Sequence, residues 1–255
     1  MNINKITIIG GQGAMGQFFK SRFQDRGLSV HVLDQPLSRE SIRDSVPNSD
    51  VVLLATPTHA CKEVMHEIKE FLHVDTILAD ICSVKLTPLK AMQDLHSGPV
   101  VGTHPLFGPQ PEESDILKTA IVPCAEEEAD RKIFALMEDI GLAPFSTTAD
   151  EHDRALAFIQ GLNFVSTVSY LAAIPSEESI KQFLTPSFHR RLQASKKMLT
   201  QDWEMFENLF ETNPYSQETV RQLRSYLNLA SAGELDLLRD KASWWWNDEN
   251  TGGGT

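Results

Sequence analysis

The sequence predicts an α/β protein: a doubly wound, Rossmann-type parallel sheet with a second, all-helical domain. Three observations carry that reading. Strand-like and helix-like segments alternate over the first ~145 residues, the pattern of βαβ units. The earliest strand breaks into a glycine-rich turn and then a helix in "KITIIGGQGAMGQFFKSRF". After residue 150 no strand pattern appears.

Taken in order, "KITIIGG" is a strand and "AMGQFFKSRFQDRG" a helix ended by Gly27 in the C′ position. "LSVHVLD" is the second strand. "DVVLLATP" is a continuous apolar run between turn residues, as expected for a strand covered on both faces. A helix around "CKEVMHEIKEFL", a strand in "TILADI" and a helix around "LTPLKAMQDL" come next. Strands "VVGTHP" and "AIVPC", the helix "EEEADRKIFALMEDIG" and a last strand near "APFSTT" complete this half. "TADE", Thr148 to Glu151, is a capping box that opens a long helix. Ala155, Ile159, Leu162 and Val165 recur along it at helical spacing, with Leu156 and Phe158 widening the stripe. Later helices are expected to break at Pro175, Pro186, Pro214 and Gly233. The expected division is a sheet domain at 1–148, a helical domain at 149–246 and a flexible tail at 247–255, ending in "TGGGT".

Composition narrows the function. The chain has 255 residues, and 23 Lys plus Arg face 35 Asp plus Glu, a formal charge of −12. An acidic surface repels phosphate backbones, so no nucleic-acid partner is expected. The apolar stretches read as too short for a membrane span, and the N-terminus lacks the form of a signal peptide; no membrane partner is expected. The three cysteines, Cys61, Cys82 and Cys124, are far apart in sequence and form no CxxC pair, which suits a reducing cytoplasm. His59, His66 and His73 stand seven apart, a separation of about 10 Å between neighbours on a helix and too far to share one ion. No metal site is expected.

Gly11, Gly13 and Gly16 spell GxGxxG, with Gln12, Ala14 and Met15 between them. The first glycine permits a tight turn, the second a close approach of pyrophosphate to backbone, and the third close packing of helix on strand. The helix start then offers free N–H groups and a positive dipole end. Asp34 ends the next strand, where its carboxylate can accept both ribose hydroxyls of an adenosine and repel a 2′-phosphate. A dinucleotide is therefore expected at 1–148, NAD in preference to NADP. The competing reading of Asp34 is a helix cap or solvated loop acid. Thr56 and Pro57 in "ATPTHA" follow the third strand, suited to lining the nicotinamide side, or simply forming a β-to-α turn.

"DICSVK" and "GTHPLFGP" each put polar residues just past an apolar strand: Ser83 with Lys85, and His104 between Gly102 and Pro105. Histidine suits acceptance of a hydroxyl proton near neutral pH, and serine can orient it or the substrate hydroxyl. No GxSxG elbow supports a hydrolase.

Together the glycine turn, "DICSVK", "GTHPLFGP" and "EHDRALAFIQGLNFVSTVSYL" resemble the prephenate dehydrogenases of tyrosine biosynthesis, from about residue 4 to about residue 174. Related sugar-acid and 3-hydroxyacid dehydrogenases place a catalytic lysine on the interdomain helix, and Thr148 to Ile174 contains none. The resemblance implies an NAD-dependent oxidative decarboxylation of prephenate to 4-hydroxyphenylpyruvate. Hydride leaves C4 of the cyclohexadiene, His104 takes the hydroxyl proton with Ser83 assisting, and the opposite carboxylate departs as CO2. Arogenate or 4-amino-4-deoxyprephenate would fit the same machinery, and a non-catalytic dinucleotide sensor is the alternative of another class. Two positions depart from the family pattern. Phe164 stands where "IQ-x-L-x-H" carries histidine, and Lys197 aligns with the arginine that holds the substrate carboxylate. Lysine supplies charge without a bidentate fork, and Arg190, Arg191 or Lys196 are alternatives, as are solvated helix charges. The family's helical domains pair as dimers, so a homodimer is expected. Trp244 to Trp246 would form either part of its seam or packing at the end of one chain. Only four residues precede the first strand, so no fused chorismate mutase is expected ahead of the glycine turn.

Overall fold

The computed structural model describes residues 3–123 and 126–246. The expected tail and Cys124 lie outside the described residues. Strands β1 (Lys5–Ile9), β2 (Ser29–Leu33), β3 (Val51–Leu54), β4 (Ile77–Asp80), β5 (Val100–Pro105), β6 (Lys118–Val122) and β7 (Ala143–Ser146) form one sheet in the order β2-β1-β3-β4-β5-β6-β7. Both sides are covered. Phe19 and Phe23 of α1 (Ala14–Asp25) pack one face with Ile133 and Met137 of α5 (Glu127–Asp139). On the other face lie Ile42 of α2 (Arg39–Ser45), Met65 and Ile68 of α3 (Cys61–Ile68), and Met92 of α4 (Leu86–Leu95). Coverage on both faces explains why β3, β4 and β5 are buried at every position and why β3 reads as an unbroken apolar run.

The sheet departs from the expected parallel order at one edge. β6 runs antiparallel to β5, and β7 lies parallel to β6. The link between β5 and β6 has no helix to carry a crossover, so the chain returns alongside in the opposite sense. β1 to β5 are mutually parallel, and their C-terminal ends share one edge. Cys61 and Cys82, distant in sequence, meet in the core as free thiols, where the Cys61 thiol and burial both push the Cys82 thiol up.

The helical half opens as its capping box requires: Glu151 N–H donates to Thr148 Oγ1 and Thr148 N–H to Glu151 Oε2, both at 3.2 Å. The helix is then interrupted. α6 (Ala149–Leu156) passes into a wide π turn at Ala157–Leu162 before α7 (Asn163–Ala172). The inward face is His152, Asp153, Leu156, Ala157, Gly161 and Phe164; of the expected stripe it keeps Leu156, while Leu162 and Val165 are half-buried and Ala155, Phe158 and Ile159 are exposed. A buried polar pair at 152 and 153 sets the phase, and the π turn shifts the facing of α7. By length and composition alone, the run Ala149–Ala172 is long and apolar enough to cross a membrane, which corrects the expectation that every apolar stretch falls short. The chain continues through α8 (Pro186–Thr200), α9 (Trp203–Thr212), α10 (Ser216–Ser231) and α11 (Leu235–Ala242). Pro186 starts α8 at its first helical position rather than breaking a helix. Gly233 ends α10 with a φ of +85°, and the break between α8 and α9 falls at Gln201 and Asp202, without proline or glycine.

Candidate active site

The C-terminal edge of β1 to β3 carries a cradle made mostly of backbone. Gly10, at φ +88°, makes the turn that was expected of Gly11; a Cβ there would lie 2.4 Å from the Ala55 carbonyl oxygen. Gly11 instead lies flat on Val32, and Gly16 presses on Gly10, where a Cβ would meet a carbonyl oxygen at 2.3 Å. Gly13 is the N-cap of α1 and supplies no capping side chain. A Cβ on it would face open space apart from the Gly10 carbonyl oxygen at 3.3 Å, so the volume ahead of the helix is free for a ligand. The amides of Ala14, Met15 and Gly16 are first-turn donors without intrahelical acceptors. Gln12 N–H donates to both Asp34 oxygens, at 3.2 and 3.0 Å, holding the carboxylate beside the glycine turn. Thr56 Oγ1 is buried with no partner, and Pro57 is exposed at the start of a short 3₁₀ turn. A backbone cradle, an orphaned hydroxyl and a carboxylate at the next strand end fit a dinucleotide bearing free ribose hydroxyls.

At β4 and β5 the same edge is built from buried side chains. Lys85, fully buried, places Nζ 2.5 Å from Asp80 Oδ2 and 2.6 Å from the Thr103 carbonyl oxygen. Asp80 also accepts from Cys82 N–H and Thr103 N–H, so both charges of the buried pair have further hydrogen-bond partners. His104 follows Thr103 and is 4% exposed. Its Nδ1 lies 2.9 Å from His152 Nε2, and His152 Nδ1 lies 2.8 Å from Asp153 Oδ1. Asp153 in turn accepts the N–H groups of Lys85 and Leu86, at 2.8 and 2.9 Å, at the start of α4. Burial, the neighbouring His152 and the Lys85 ammonium hold the His104 imidazole well below its ordinary value of 6.5, so it is neutral near pH 7.

Ser83 is half-buried two residues before Lys85 and makes no hydrogen bond to His104; the partner of that imidazole is His152. His152, Asp153 and Asp80 were not singled out from the sequence. The "EHD" triplet contained the signal, but only the fold brings it beside His104. The helical cations stand apart from this network. Lys197 is exposed, with Nζ 3.5 Å from Asp202 Oδ2; Arg191 lies over the Tyr170 ring at 3.7 Å, and Arg190 is exposed. Phe164 is buried, stacked on Phe206 at 5.6 Å and edge-on to Trp203 at 5.2 Å, so an apolar contact replaces an imidazole there. His59, His66 and His73 are exposed, and among the described residues no three His, Cys, Asp or Glu groups are arranged to hold a metal.

The T-protein of Haemophilus influenzae is 28% identical over 95% of this chain and 67% of its own length. A probable arogenate/prephenate dehydrogenase of Methanocaldococcus jannaschii is 24% identical over 84% of this chain and 53% of its own length. The chain thus spans about two thirds of the T-proteins it matches, and between about half and four fifths of the other curated relatives. In fold it is similar to prephenate dehydrogenase from A. aeolicus, solved with hydroxyphenyl propionate and NAD+: TM-score 0.74, 18% identity, 95% of this chain and 96% of that one. Residues 24–140, from the last turn of α1 to just past the end of α5, match the family model for the nucleotide-binding domain of prephenate dehydrogenase.

Proposed function

We propose that the chain is an NAD-dependent dehydrogenase that oxidatively decarboxylates prephenate to 4-hydroxyphenylpyruvate. The carrying observation is His104: a buried, neutral imidazole at the end of β5, on the sheet edge that carries the glycine cradle, with Nδ1 engaged and Nε2 without a protein partner. In this reading residues 1–148 bind the dinucleotide. Gly11, Gln12, Gly13, Ala14, Met15 and Gly16 hold its pyrophosphate, Asp34 its adenosine ribose, and Thr56 and Pro57 its nicotinamide side. When bound there, the nicotinamide would supply the hydride acceptor. His104 Nε2 takes the proton of the substrate's ring hydroxyl, and Ser83 orients that hydroxyl. Because the departing carboxylate leaves an aromatic ring, the protein's main work is alignment of donor, base and carboxylate.

Residues 149–246 close the cleft over the substrate, with Lys197 gripping a carboxylate and Arg191 or Arg190 in support. The helical half leaves Phe158, Ile159, Tyr170, Phe183, Leu227 and Trp244 to Trp246 exposed. That surface is the support for a homodimer through the helical half, and it offers the apolar run of α6 and α7 a protein partner instead of a membrane. Free, buried Cys61 and Cys82 suit a reducing, cytoplasmic location.

The deciding experiment is NADH absorbance with prephenate, arogenate and 4-amino-4-deoxyprephenate supplied one at a time. Fastest turnover with prephenate is the expected result. Preference for arogenate or the amino analogue would move the substrate within the class, and NAD binding without turnover of any of them would make the chain a dinucleotide sensor.

A further inference from the structure

We propose that Asp153 and His152 are positioning residues for His104, a hydrogen-bonded relay that dictates which imidazole nitrogen carries the proton. The inference rests on the reading of His104 as the base. For a neutral His152, each step follows from donor and acceptor inventory. Asp153 already accepts two backbone N–H groups at the start of α4, so it is an acceptor toward His152 as well. His152 Nδ1 must therefore donate to Asp153 Oδ1. In a neutral His152 the proton on Nδ1 leaves Nε2 as a lone pair, so His104 Nδ1, 2.9 Å away, must donate to it. His104 Nε2 is then the acceptor, as a base requires. Reversing the relay would put the His104 proton on Nε2 and abolish the base.

The surroundings favour the competent arrangement. Two ionisable groups act on His104 directly, His152 from α6 and Lys85 from the start of α4, with Asp153 bonded behind His152 and Asp80 behind Lys85. The Lys85 charge is compensated by Asp80 and is not available to protonate the relay. When His104 takes up a proton on Nε2, its Nδ1–H···Nε2 contact with His152 strengthens, and the Asp153 carboxylate sits behind it to stabilise the added charge.

A purely packing role for the buried pair would affect stability alone, so the test reads protons. Ring-nitrogen NMR of the full-length chain with ¹⁵N-labelled histidine should show Nδ1-protonated, neutral His104 and His152 at pH 7.5. Finding His104 protonated on Nε2 overturns the relay whatever the kinetics. In parallel, His152→Phe removes the acceptor while keeping a ring, and should lower kcat by about 10²-fold, within the range of general-base contributions, with the Kd for NAD unchanged. His152→Gln places a carbonyl near the lost Nε2 and should recover most of that loss. It also removes one of the groups that depress His104, so the acid limb of kcat/KM should move to higher pH. Wild-type kcat and pH profile in both variants would overturn the proposal, and should His152→Phe fail to fold, the wild-type tautomer decides. His104→Asn separates the two levels. If it retains activity, the assignment of the base fails; if it is inactive while His152→Phe is fully active, only the relay fails.

Discussion

The two ends of the sheet's C-terminal edge are made of different material. At the glycine end, the groups that would touch a ligand are backbone amides, and Gly10 to Asp34 lie within 25 residues of one another. At the His104 end the groups are side chains from three places, Asp80 to Lys85, Thr103 to His104 and His152 to Asp153, joined by buried hydrogen bonds across up to 68 residues of sequence. A backbone site needs only the absence of side chains, which glycine supplies wherever it is encoded. A buried side-chain site needs every donor to find an acceptor, and it exists only when the halves have docked. The glycine end can thus be weakened by degrees, whereas the His104 end is expected to fail abruptly.

The sharpest way to break the comparison is at the base. His104→Asn should reduce turnover by about 10²–10⁴-fold, the span of general-base contributions, while isothermal titration shows NAD binding intact. Retention of more than about a tenth of wild-type turnover would make His104 a structural residue. Next in size is the substrate grip. Lys197→Met should raise the substrate KM about ten- to a hundredfold, as loss of a charge-assisted hydrogen bond implies, with the NAD KM unchanged and Lys197→Arg tolerated. An unchanged substrate KM would shift the role to Arg190 or Arg191. At the glycine end the expected change is smaller: Asp34→Ala should narrow the preference for NAD over NADP by about tenfold, one ribose hydrogen bond's worth. Equal use of both cofactors by the wild type would remove Asp34 from the ribose.

The smallest effect is on stability. Below the ordinary value of 6.5 the unfolded chain protonates His104, whereas the folded chain, with that group depressed, does not. Stability is therefore fully present above pH 6.5 and is lost as pH falls toward the folded value, with a slope of at most about 1.4 kcal/mol per pH unit. Urea unfolding between pH 7.5 and 5 should show this slope, and His104→Asn should flatten it.

Legibility from sequence follows the same division. The strand–glycine–helix passage, Asp34 and the capping box at Thr148 were readable because each is local and each residue type has few physical uses. The antiparallel turn at β6 was not, since a strand's direction depends on whether its connection crosses over. The inward face of α6 was misread because apolar spacing suggested Ala155 and Ile159, while the chain buries His152 and Asp153 there instead. Polar residues turned inward defeat a periodicity argument, and their partners lie 48 to 68 residues away.

Asp153 has one further consequence, for recombination of this architecture. It caps α4 of the sheet half while belonging to the first helix of the other half. A chimera joined at residue 148, where the last strand gives way to helix, would exchange the acceptor and its histidine while leaving their donors behind. Grafts that keep this hydrogen-bonded network whole must take their junction beyond Leu156, at the π turn, so the boundary of the network lies a full helix past the boundary of the sheet.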